Sequence, residues 1–156
     1  MKYQDYARQL RSIAAIFWLG FFMAISFMEA PLKFTAPHLS MAEGLQVGRI
    51  IFGALNKCEW IFLAVILVTL CINRIGARLY LVLAIAAILL VETFWLLPVL
   101  DSDAVRIING QIPNHDKLHW IYVFFEVTKA PLLLMIGLEN GKYLKSRRFS
   151  ASQPVQ

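Results

Sequence analysis

Six ionisable side chains fall inside the most apolar stretches of this 156-residue sequence, where charges are least expected. They are Glu29, Lys57, Glu59, Glu92, Glu126 and Lys129. A charged side chain at the centre of a bilayer costs about 2.5–3.5 kcal/mol on insertion scales, so each needs a partner or water. Carboxylates in that setting bind cations or protons, or they pair with basic groups. We therefore predict a cation or proton site, with buried ion pairs that fix the fold as the alternative.

Helical spacing groups the polar residues near the C-terminus on one face. His115, His119, Tyr122, Glu126 and Lys129 recur at steps of four and three residues. That spacing keeps side chains on one side of a helix, so we expect a polar face that points into a bundle.

A second stripe lies in the second apolar stretch. Arg49, Gly53, Asn56 and Glu59 share a helical face there, and Lys57 points away from it. Gly48 and Gly53 are expected to allow close approach of another helix. Similar spacing places Ser26 beside Glu29 and Trp95 beside Glu92.

The candidate residues for binding a cation, a proton or another ligand are Glu29, Arg49, Asn56, Glu59, Glu92, His119, Tyr122, Glu126 and Lys129. Simpler roles stay open for several of them. Glu126 and Lys129 can neutralise each other across one turn, and Arg49 can pair with Glu29 or Glu92. His119 is read as an interfacial hydrogen-bonding residue before a metal ligand, and Trp18, Trp60, Trp95 and Trp120 as packing or interface residues.

Glu59 is expected to lack a cationic neighbour, because Arg49 lies nearly three turns away on the same helix. A carboxyl of this kind is a natural place for a proton.

Prolines accompany these groups. Glu29-Ala30-Pro31-Leu32 is echoed by Lys129-Ala130-Pro131-Leu132, and Pro98 follows Glu92. Each proline lacks an N–H and frees the carbonyl four residues earlier, which predicts free carbonyls at Phe27, Phe94 and Val127. Freed carbonyls beside carboxylates are groups that a cation or proton path can use.

The elements that carry these residues are four long apolar blocks. Hydrophobic residues make up 59% of the chain and charged residues 16%, against about 45–50% and about 25% in soluble domains. We predict an all-α integral membrane protein, an antiparallel bundle of four transmembrane helices at about 11–33, 40–72, 77–100 and 115–140. Residues 1–142 form one domain and 143–156 a basic mobile tail. Ser40 and Glu43 form a capping-box pattern, and Gly141 is a candidate C-cap.

Basic residues are distributed unevenly between the two ends of the predicted bundle. Nine lie on one side, namely Lys2, Arg8, Arg11, Arg74, Arg78, Lys142, Lys145, Arg147 and Arg148. Four lie on the other: Lys33, Arg49, Arg106 and Lys117. The positive-inside rule predicts both termini in the cytoplasm and the carboxylates in the outer half of the bilayer. The net charge of +5 resides in tails and loops, which argues against a nucleic-acid partner.

Metal and redox chemistry find little support in the sequence. Cys58 and Cys71 are thirteen residues apart in one helix, about 20 Å, so they cannot bond to each other. No Cys-x-x-Cys and no Glu-x-x-His motif occurs, which argues against a zinc site and a di-iron bundle. His115 and His119 belong to one helix and do not face each other as heme ligands. We predict no catalytic residue and no cofactor, and leave a metal open.

Motifs in the first two blocks resemble a known family. They are Phe17-Trp18-Leu19-Gly20, Glu29-Ala30-Pro31-Leu32-Lys33-Phe34 and Gly48-Arg49-Ile50-Ile51-Phe52, followed by Glu59. This pattern resembles the bacterial four-helix membrane family of unknown function related to eukaryotic transmembrane protein 205. Leu97-Pro98 and the segment from His119 to Lys129 extend the similarity to residues of about 12 to 140. The resemblance implies a four-helix fold in a bacterial cytoplasmic membrane and no established reaction.

Two functions fit these observations. The first is a small transporter coupled to a cation or protons, which at this size would act as a homodimer. The second is a non-enzymatic accessory or structural subunit of a larger membrane complex that binds lipid or a partner protein.

Overall fold

The computed structural model describes residues 2–72, 79–112 and 117–138, and all regular secondary structure in these ranges is helical. Within these ranges, four helices are long and apolar enough to cross a membrane: Tyr3–Lys33, Met41–Ile72, Leu79–Ile108 and Leu118–Gly137. We call them spans 1 to 4. The prediction of an all-helical chain with four apolar helices is confirmed. The predicted turn at 73–78, His115, Gly141 and the tail 143–156 lie outside the described residues.

Span 1 continues a helix that begins at Lys2, well before the predicted start near Arg11. Hydropathy alone placed the boundary where the apolar run begins. The helix extends further because its polar first turns also pack against the bundle: Ala7, Arg11 and Ser12 are all buried. The boundary of this helix is therefore set by packing as well as by hydropathy.

Span 2 begins with the predicted capping box. The Ser40 backbone N–H donates to Glu43 Oε2 at 2.9 Å, and the Ser40 hydroxyl donates to the same oxygen at 2.6 Å. The Glu43 backbone N–H donates back to Ser40 Oγ at 3.3 Å. These contacts satisfy amide groups that have no partner within the first turn of a helix. The predicted helix start is confirmed.

Span 3 runs to Ile108, so the prediction that a loop begins at Asp101 is wrong. The segment ends where Gly110 adopts a φ of +73°, a left-handed conformation that glycine reaches without strain. The Gln111 N–H donates to the Arg106 carbonyl at 2.8 Å and the Gly110 N–H to Ile107 at 3.0 Å. This is a Schellman motif, and it ends the helix two turns later than apolar content indicates.

Two of the three helix prolines sit just after a π-helical turn. Residues Ala24–Glu29 precede Pro31, and Glu92–Leu96 precede Pro98. The Ala30 N–H bonds the Ile25 carbonyl, and the Leu97 N–H bonds the Glu92 carbonyl, each five residues back. The wider turn accommodates the absent proline N–H and the bulk of its ring. Pro131, by contrast, lies within an uninterrupted α-helix.

The core lies between the four spans. Span 1 contacts spans 2 and 4, span 2 contacts span 3, and span 3 contacts span 4. The buried apolar side chains of the core include Ala15, Trp18 and Phe22 from span 1, Leu55, Leu63 and Ile66 from span 2, Ile85 and Leu89 from span 3, and Leu133 and Ile136 from span 4. Large apolar residues such as Ile50, Phe94 and Trp120 are exposed. An apolar exterior around a packed core suits a lipid surrounding.

Contrary to the prediction, neither Gly48 nor Gly53 of span 2 lies against the backbone of another described helix. A Cβ at Gly53 would meet no atom within 4 Å, so the predicted close helix approach there is wrong. A Cβ at Gly48 would come within 2.7 Å of Lys33 Nζ. Gly48 therefore makes room for a side chain of span 1 and not for a helix backbone.

Candidate functional site

One ammonium and three carboxylates meet in the interior of the bundle. Lys129 and Glu126 come from span 4, Glu59 from span 2 and Glu92 from span 3. All four residues are at most 1% exposed. One oxygen from each carboxylate lies within 4.8 Å of the others. We call these four residues the Lys129 cluster.

Lys129 holds the cluster together. Its Nζ donates to Glu59 Oε1 at 2.7 Å and to Glu92 Oε2 at 2.7 Å. Glu126 Oε1 lies 3.3 Å away, one helical turn earlier in span 4. The neutralisation of Lys129 by Glu126 that sequence spacing indicated is therefore present, but the two shorter contacts cross to other helices. Because Lys129 pairs with it, the expectation that Glu59 lacks a cationic neighbour is wrong.

Span 1 closes the cluster with aromatic rings. Trp18 is fully buried and its indole Nε1 donates to Glu59 Oε1 at 2.9 Å. The Phe22 ring centroid lies 5.8 Å from Lys129 Nζ, within the range of a cation–π contact. The interpretation of Trp18 as a packing residue alone is thus incomplete, because it supplies a hydrogen bond that Glu59 would otherwise lack.

Three carboxylate oxygens in the cluster accept no well-aligned hydrogen bond among the described residues. They are Glu92 Oε1, Glu126 Oε1 and Glu126 Oε2. Buried polar atoms almost always have a partner, and unsatisfied ones are costly. Three ionised carboxylates and one ammonium would also carry a net charge of −2 in an apolar interior. The site is short of positive charge and of hydrogen bonds. A bound cation would supply charge and coordinate the oxygens, and protons would supply charge and donors.

Asn56 lies one turn from Glu59 and joins spans 2 and 3. Its Nδ2 donates to Thr93 Oγ1 at 2.9 Å, and Trp60 Nε1 donates to the same oxygen at 3.0 Å. The Thr93 hydroxyl donates to the Leu89 carbonyl at 2.7 Å. This network adjoins Glu92 in sequence and fixes the π-helical turn that carries it. Trp60, like Trp18, donates a hydrogen bond that the sequence analysis did not predict.

Glu29 stands apart from the Lys129 cluster. It pairs with Lys33 on the next turn, with 3.4 Å between Glu29 Oε1 and Lys33 Nζ. Lys33 Nζ also lies over the rings of Phe34 and Phe52, at 5.5 and 5.3 Å from their centroids. The expected convergence of four carboxylates is therefore a convergence of three, because Glu29 is tied to a local partner.

Arg49 also lies away from the cluster. Its Nε is 2.5 Å from Asp101 Oδ1 and its second terminal nitrogen is 2.9 Å from Asp101 Oδ2, a two-pronged ion pair between spans 2 and 3. The predicted pairing with Glu29 or Glu92 is wrong. Asp101 was assigned to a loop, and the helical extension of span 3 is what brings it opposite Arg49.

The polar face of span 4 is divided. Tyr122, Glu126 and Lys129 are buried, whereas His119 is exposed. The Tyr122 hydroxyl lies beside the Glu126 carboxylate and close to those of Glu59 and Glu92, and its ring contacts Phe52 edge-on at 5.5 Å. Lys57 is exposed, as its position on span 2 predicted. Trp95 is half exposed although Glu92 is fully buried, because the π-helical turn breaks the α-helical spacing between them.

The carboxylates of the cluster are the residues that could ligate a metal. Oxygen atoms at mutual distances within 4.8 Å fit a hard cation such as Mg²⁺ or Ca²⁺ by ligand type. A metal would have to share this space with the Lys129 ammonium, which already contacts all three carboxylates.

Sequence reasoning missed Trp18, Phe22, Thr93 and Asp101 as contributors to these sites. Trp18 and Glu59 are 41 residues apart, and Arg49 and Asp101 are 52 apart. Such pairings follow from how helices face each other, which no local spacing encodes. For Trp18 a signal was present, since a buried indole needs an acceptor and carboxylates were the available ones.

No family model matches the chain, and neither a curated protein nor a solved structure matches it significantly.

Proposed function

We propose that this chain is a multi-pass protein of the bacterial cytoplasmic membrane that binds a cation or protons in the Lys129 cluster and couples that binding to transport. The observation that carries the proposal is the set of three buried carboxylate oxygens that accept no well-aligned hydrogen bond, Glu92 Oε1 and both oxygens of Glu126. They belong to a site with more acidic than basic groups. A protein interior corrects that imbalance by taking up positive charge.

The free-energy cost of burying the charged groups of the cluster also supports a functional role. Replacing a buried ion pair with apolar residues of similar volume is often neutral or stabilising, so stability alone is a weak reason to keep one. Ionisable residues within membrane spans commonly mark ion or proton pathways.

Transport requires that the buried cluster become accessible at some stage. The two π-helical turns and their prolines provide places where spans 1 and 3 can deform. Glu92 is the first residue of one such turn, so a change in that turn would move a ligand of the site. Interrupted helices next to ion sites are common in secondary transporters.

The proposed arrangement is an antiparallel bundle with both termini in the cytoplasm and a homodimer as the working unit. The excess of basic residues at one end supports the orientation. Membership of the family related to transmembrane protein 205 is part of the proposal and is supported by the motifs between Phe17 and Glu59.

The test is ion flux in lipid vesicles that contain the purified protein. Proton entry is followed with a trapped pH-sensitive dye, and sodium or potassium entry with the corresponding dyes, under an imposed gradient. We expect flux with the unmodified protein and its loss with Glu92→Gln and with Glu126→Gln.

Glu43→Gln is the matched control, since Glu43 is exposed at the start of span 2 and glutamine also serves in a capping box. It removes one carboxylate outside the cluster and should leave flux unchanged. Flux that is the same in all three variants and the unmodified protein would exclude the cluster as the ion site.

An accessory role in a membrane complex is the second candidate. It is favoured by the complete burial of the cluster, with Lys129 paired to carboxylates from three spans. Such a cluster can specify one helix arrangement without ever binding an ion. Copurification from native membranes separates the two: a stoichiometric partner protein supports the accessory role, and a homo-oligomer with ion flux supports the transporter.

A further inference from the structure

We infer that the ion held by the Lys129 cluster is the proton, that Glu92 and Glu126 carry it, and that Glu59 stays ionised as the counter-ion of Lys129. This inference rests on the proposed ion-binding function and assigns the ion and the residues that bind it.

Glu59 has the surroundings of an ionised carboxylate. Its Oε1 accepts from Trp18 Nε1 at 2.9 Å and from Lys129 Nζ at 2.7 Å. Two donors, one of them charged, favour the negative form of a carboxyl group. With two donors on one oxygen, Glu59 is the best-compensated carboxylate of the cluster.

Glu92 and Glu126 have the opposite surroundings. Glu92 contacts Lys129 through Oε2 only, and its Oε1 is buried without a donor. Glu126 lies at 3.3 Å from Lys129 and beside the Tyr122 hydroxyl, and neither of its oxygens accepts a well-aligned hydrogen bond among the described residues. Both residues are fully buried. A proton on such an oxygen removes a charge from the apolar interior and turns an unsatisfied acceptor into a donor.

The two acids are close enough to satisfy each other. Each contributes an oxygen within 4.8 Å of the other two carboxylates in the cluster. An O–H group on Glu126 can donate to an oxygen of Glu92, or the reverse, when side-chain rotation brings the two oxygens to hydrogen-bonding distance. A carboxylic acid pair of this kind needs no water.

Charge balance gives the capacity of the site. With Glu59 ionised, Lys129 charged and both other acids protonated, the cluster is neutral. Each uptake step takes one proton from the aqueous side and forms one O–H bond on a carboxylate oxygen. Each release step breaks that bond and returns the proton to water. The cluster thus holds two protons when full, and the carboxylate that gives one up is stabilised by Lys129 one turn or one helix away.

Lys129 disfavours a metal at the same place. Its ammonium contacts all three carboxylates. A metal cation would meet that positive charge at short range or would have to displace it, whereas a proton adds to an oxygen and leaves the ammonium in position. The titratable groups near Glu92 and Glu126 are Glu59 from span 2 and Lys129 from span 4, with Tyr122 of span 4 beside Glu126. From span 1, Trp18 bonds Glu59 and the Phe22 ring lies near Lys129 Nζ.

Infrared spectroscopy of the protein in lipid vesicles tests the assignment. Protonated carboxyl groups have a C=O stretching band well separated from that of carboxylates, and the band shifts in heavy water. We expect this band at neutral pH, a reduction of about half in Glu92→Gln and in Glu126→Gln, and no change in Glu43→Gln. Absence of the band at neutral pH, or its persistence in full in both cluster variants, would overturn the inference.

Thermal unfolding of the same variants gives an independent readout. Glutamine has nearly the shape of a protonated glutamate, so Glu92→Gln and Glu126→Gln should keep the Tm of the unmodified protein. Glu59→Gln removes the counter-charge of Lys129 and should lower the Tm. Equal losses in all three variants would contradict the division into one ionised and two protonated groups.

The outcome for this inference is separable from that for the proposed function. Sodium or potassium flux without a protonated carboxyl band would overturn the proton assignment and leave an ion transporter. The band without flux of any ion would support the proton pair and count against transport.

Discussion

Lys129 donates hydrogen bonds to two helices other than its own, and this explains how a lysine can be fully buried among apolar side chains. Its ammonium lies 2.7 Å from the counter-ion Glu59 and contacts oxygens of Glu92 at 2.7 Å and of Glu126 at 3.3 Å. Removal of one partner from a buried charge pair leaves an uncompensated charge, which is strongly destabilising. The stability of the bundle should therefore depend on this one side chain more than on any single apolar contact.

Lys129→Met keeps the length of the side chain and removes its charge. We expect a loss of about 3–5 kcal/mol in the free energy of unfolding, because Glu59 is left ionised without its cation. Unfolding in detergent micelles with increasing denaturant measures it. Lys57→Met is the control, since Lys57 is exposed on span 2 and should change little. A smaller loss in Lys129→Met than in the control would contradict the pairing.

Trp18→Phe removes the indole donor to Glu59 and keeps an aromatic ring in the core. We expect a loss of about 1.5–3 kcal/mol, the range for hydrogen bonds to charged groups. The same unfolding measurement applies, with Trp120→Phe as the control because Trp120 is 72% exposed. If both substitutions lower the free energy of unfolding equally, the Trp18 hydrogen bond does not contribute to stability.

At this scale the sequence predicted which residues are chemically important better than it predicted their partners. The presence of Glu59, Glu92, Glu126 and Lys129 within apolar blocks was enough to identify them. Local spacing could indicate the contact of Glu126 with Lys129, which are three residues apart. It could not indicate the contact of Lys129 with Glu59, 70 residues away.

At the scale of helices, identical motifs have different structures. Ala-Pro-Leu follows Glu29 in span 1 and Lys129 in span 4, yet a π-helical turn precedes only Pro31. The prediction that prolines disturb the helix was right for spans 1 and 3, where Phe27 and Phe94 lie inside the π-helical turns. For span 4, packing of Leu133 and Ile136 in the core accompanies a continuous α-helix.

The Arg49–Asp101 pair holds the extension of span 3 against span 2. Its side chains are 35% and 49% exposed, so it should contribute about 0.2–1 kcal/mol. We expect Asp101→Asn to increase hydrogen exchange of the backbone amides in Leu97–Ile108 and to leave those in span 4 unchanged. Arg49→Gln should have the same effect, and the double variant should add nothing further. Additive effects in the double variant would show that the two residues act separately.

Helix ends were predicted less well than helix centres. The start of span 2 agreed with the structure, because a sharp signal, the capping box of Ser40 with Glu43, marks it. Span 3 was cut short at Leu100, since hydropathy falls there while the helix continues to Ile108. Polar residues continue a helix when partners such as Arg49 satisfy them, and hydropathy contains no information on partners.

At the scale of the whole molecule, the four spans bury charge inside and expose apolar surface outside. This inversion of a soluble fold follows from lipid being as apolar as the leucine side chains of the core. The number of spans could be predicted from apolar length alone. Which span contacts which could not, since short connections leave several arrangements open.

Labelling of single cysteines in intact cells tests the proposed orientation. In a Cys58→Ser/Cys71→Ser background, Gln111→Cys should react with a membrane-impermeant maleimide added outside, because Gln111 is exposed after the end of span 3. A cysteine added after Gln156 should react only once the membrane is permeabilised. The reverse pattern would place the termini outside.

The π-helical turn at Glu92–Leu96 has a consequence for how this chain tolerates changes in length. Such a turn contains one residue more than an α-helical turn, and one residue corresponds to about 100° of rotation about the axis. Deleting a single residue between Thr93 and Leu96 would let the helix close into regular α geometry. Because the wider turn absorbs its extra residue locally, the half of span 3 that carries Asp101 would keep its orientation relative to the half that carries Leu89. A deletion within the regular α-helix of Leu97–Ile108 would instead rotate the residues that follow it by about 100°, so a deletion before Asp101 there would turn this residue away from Arg49.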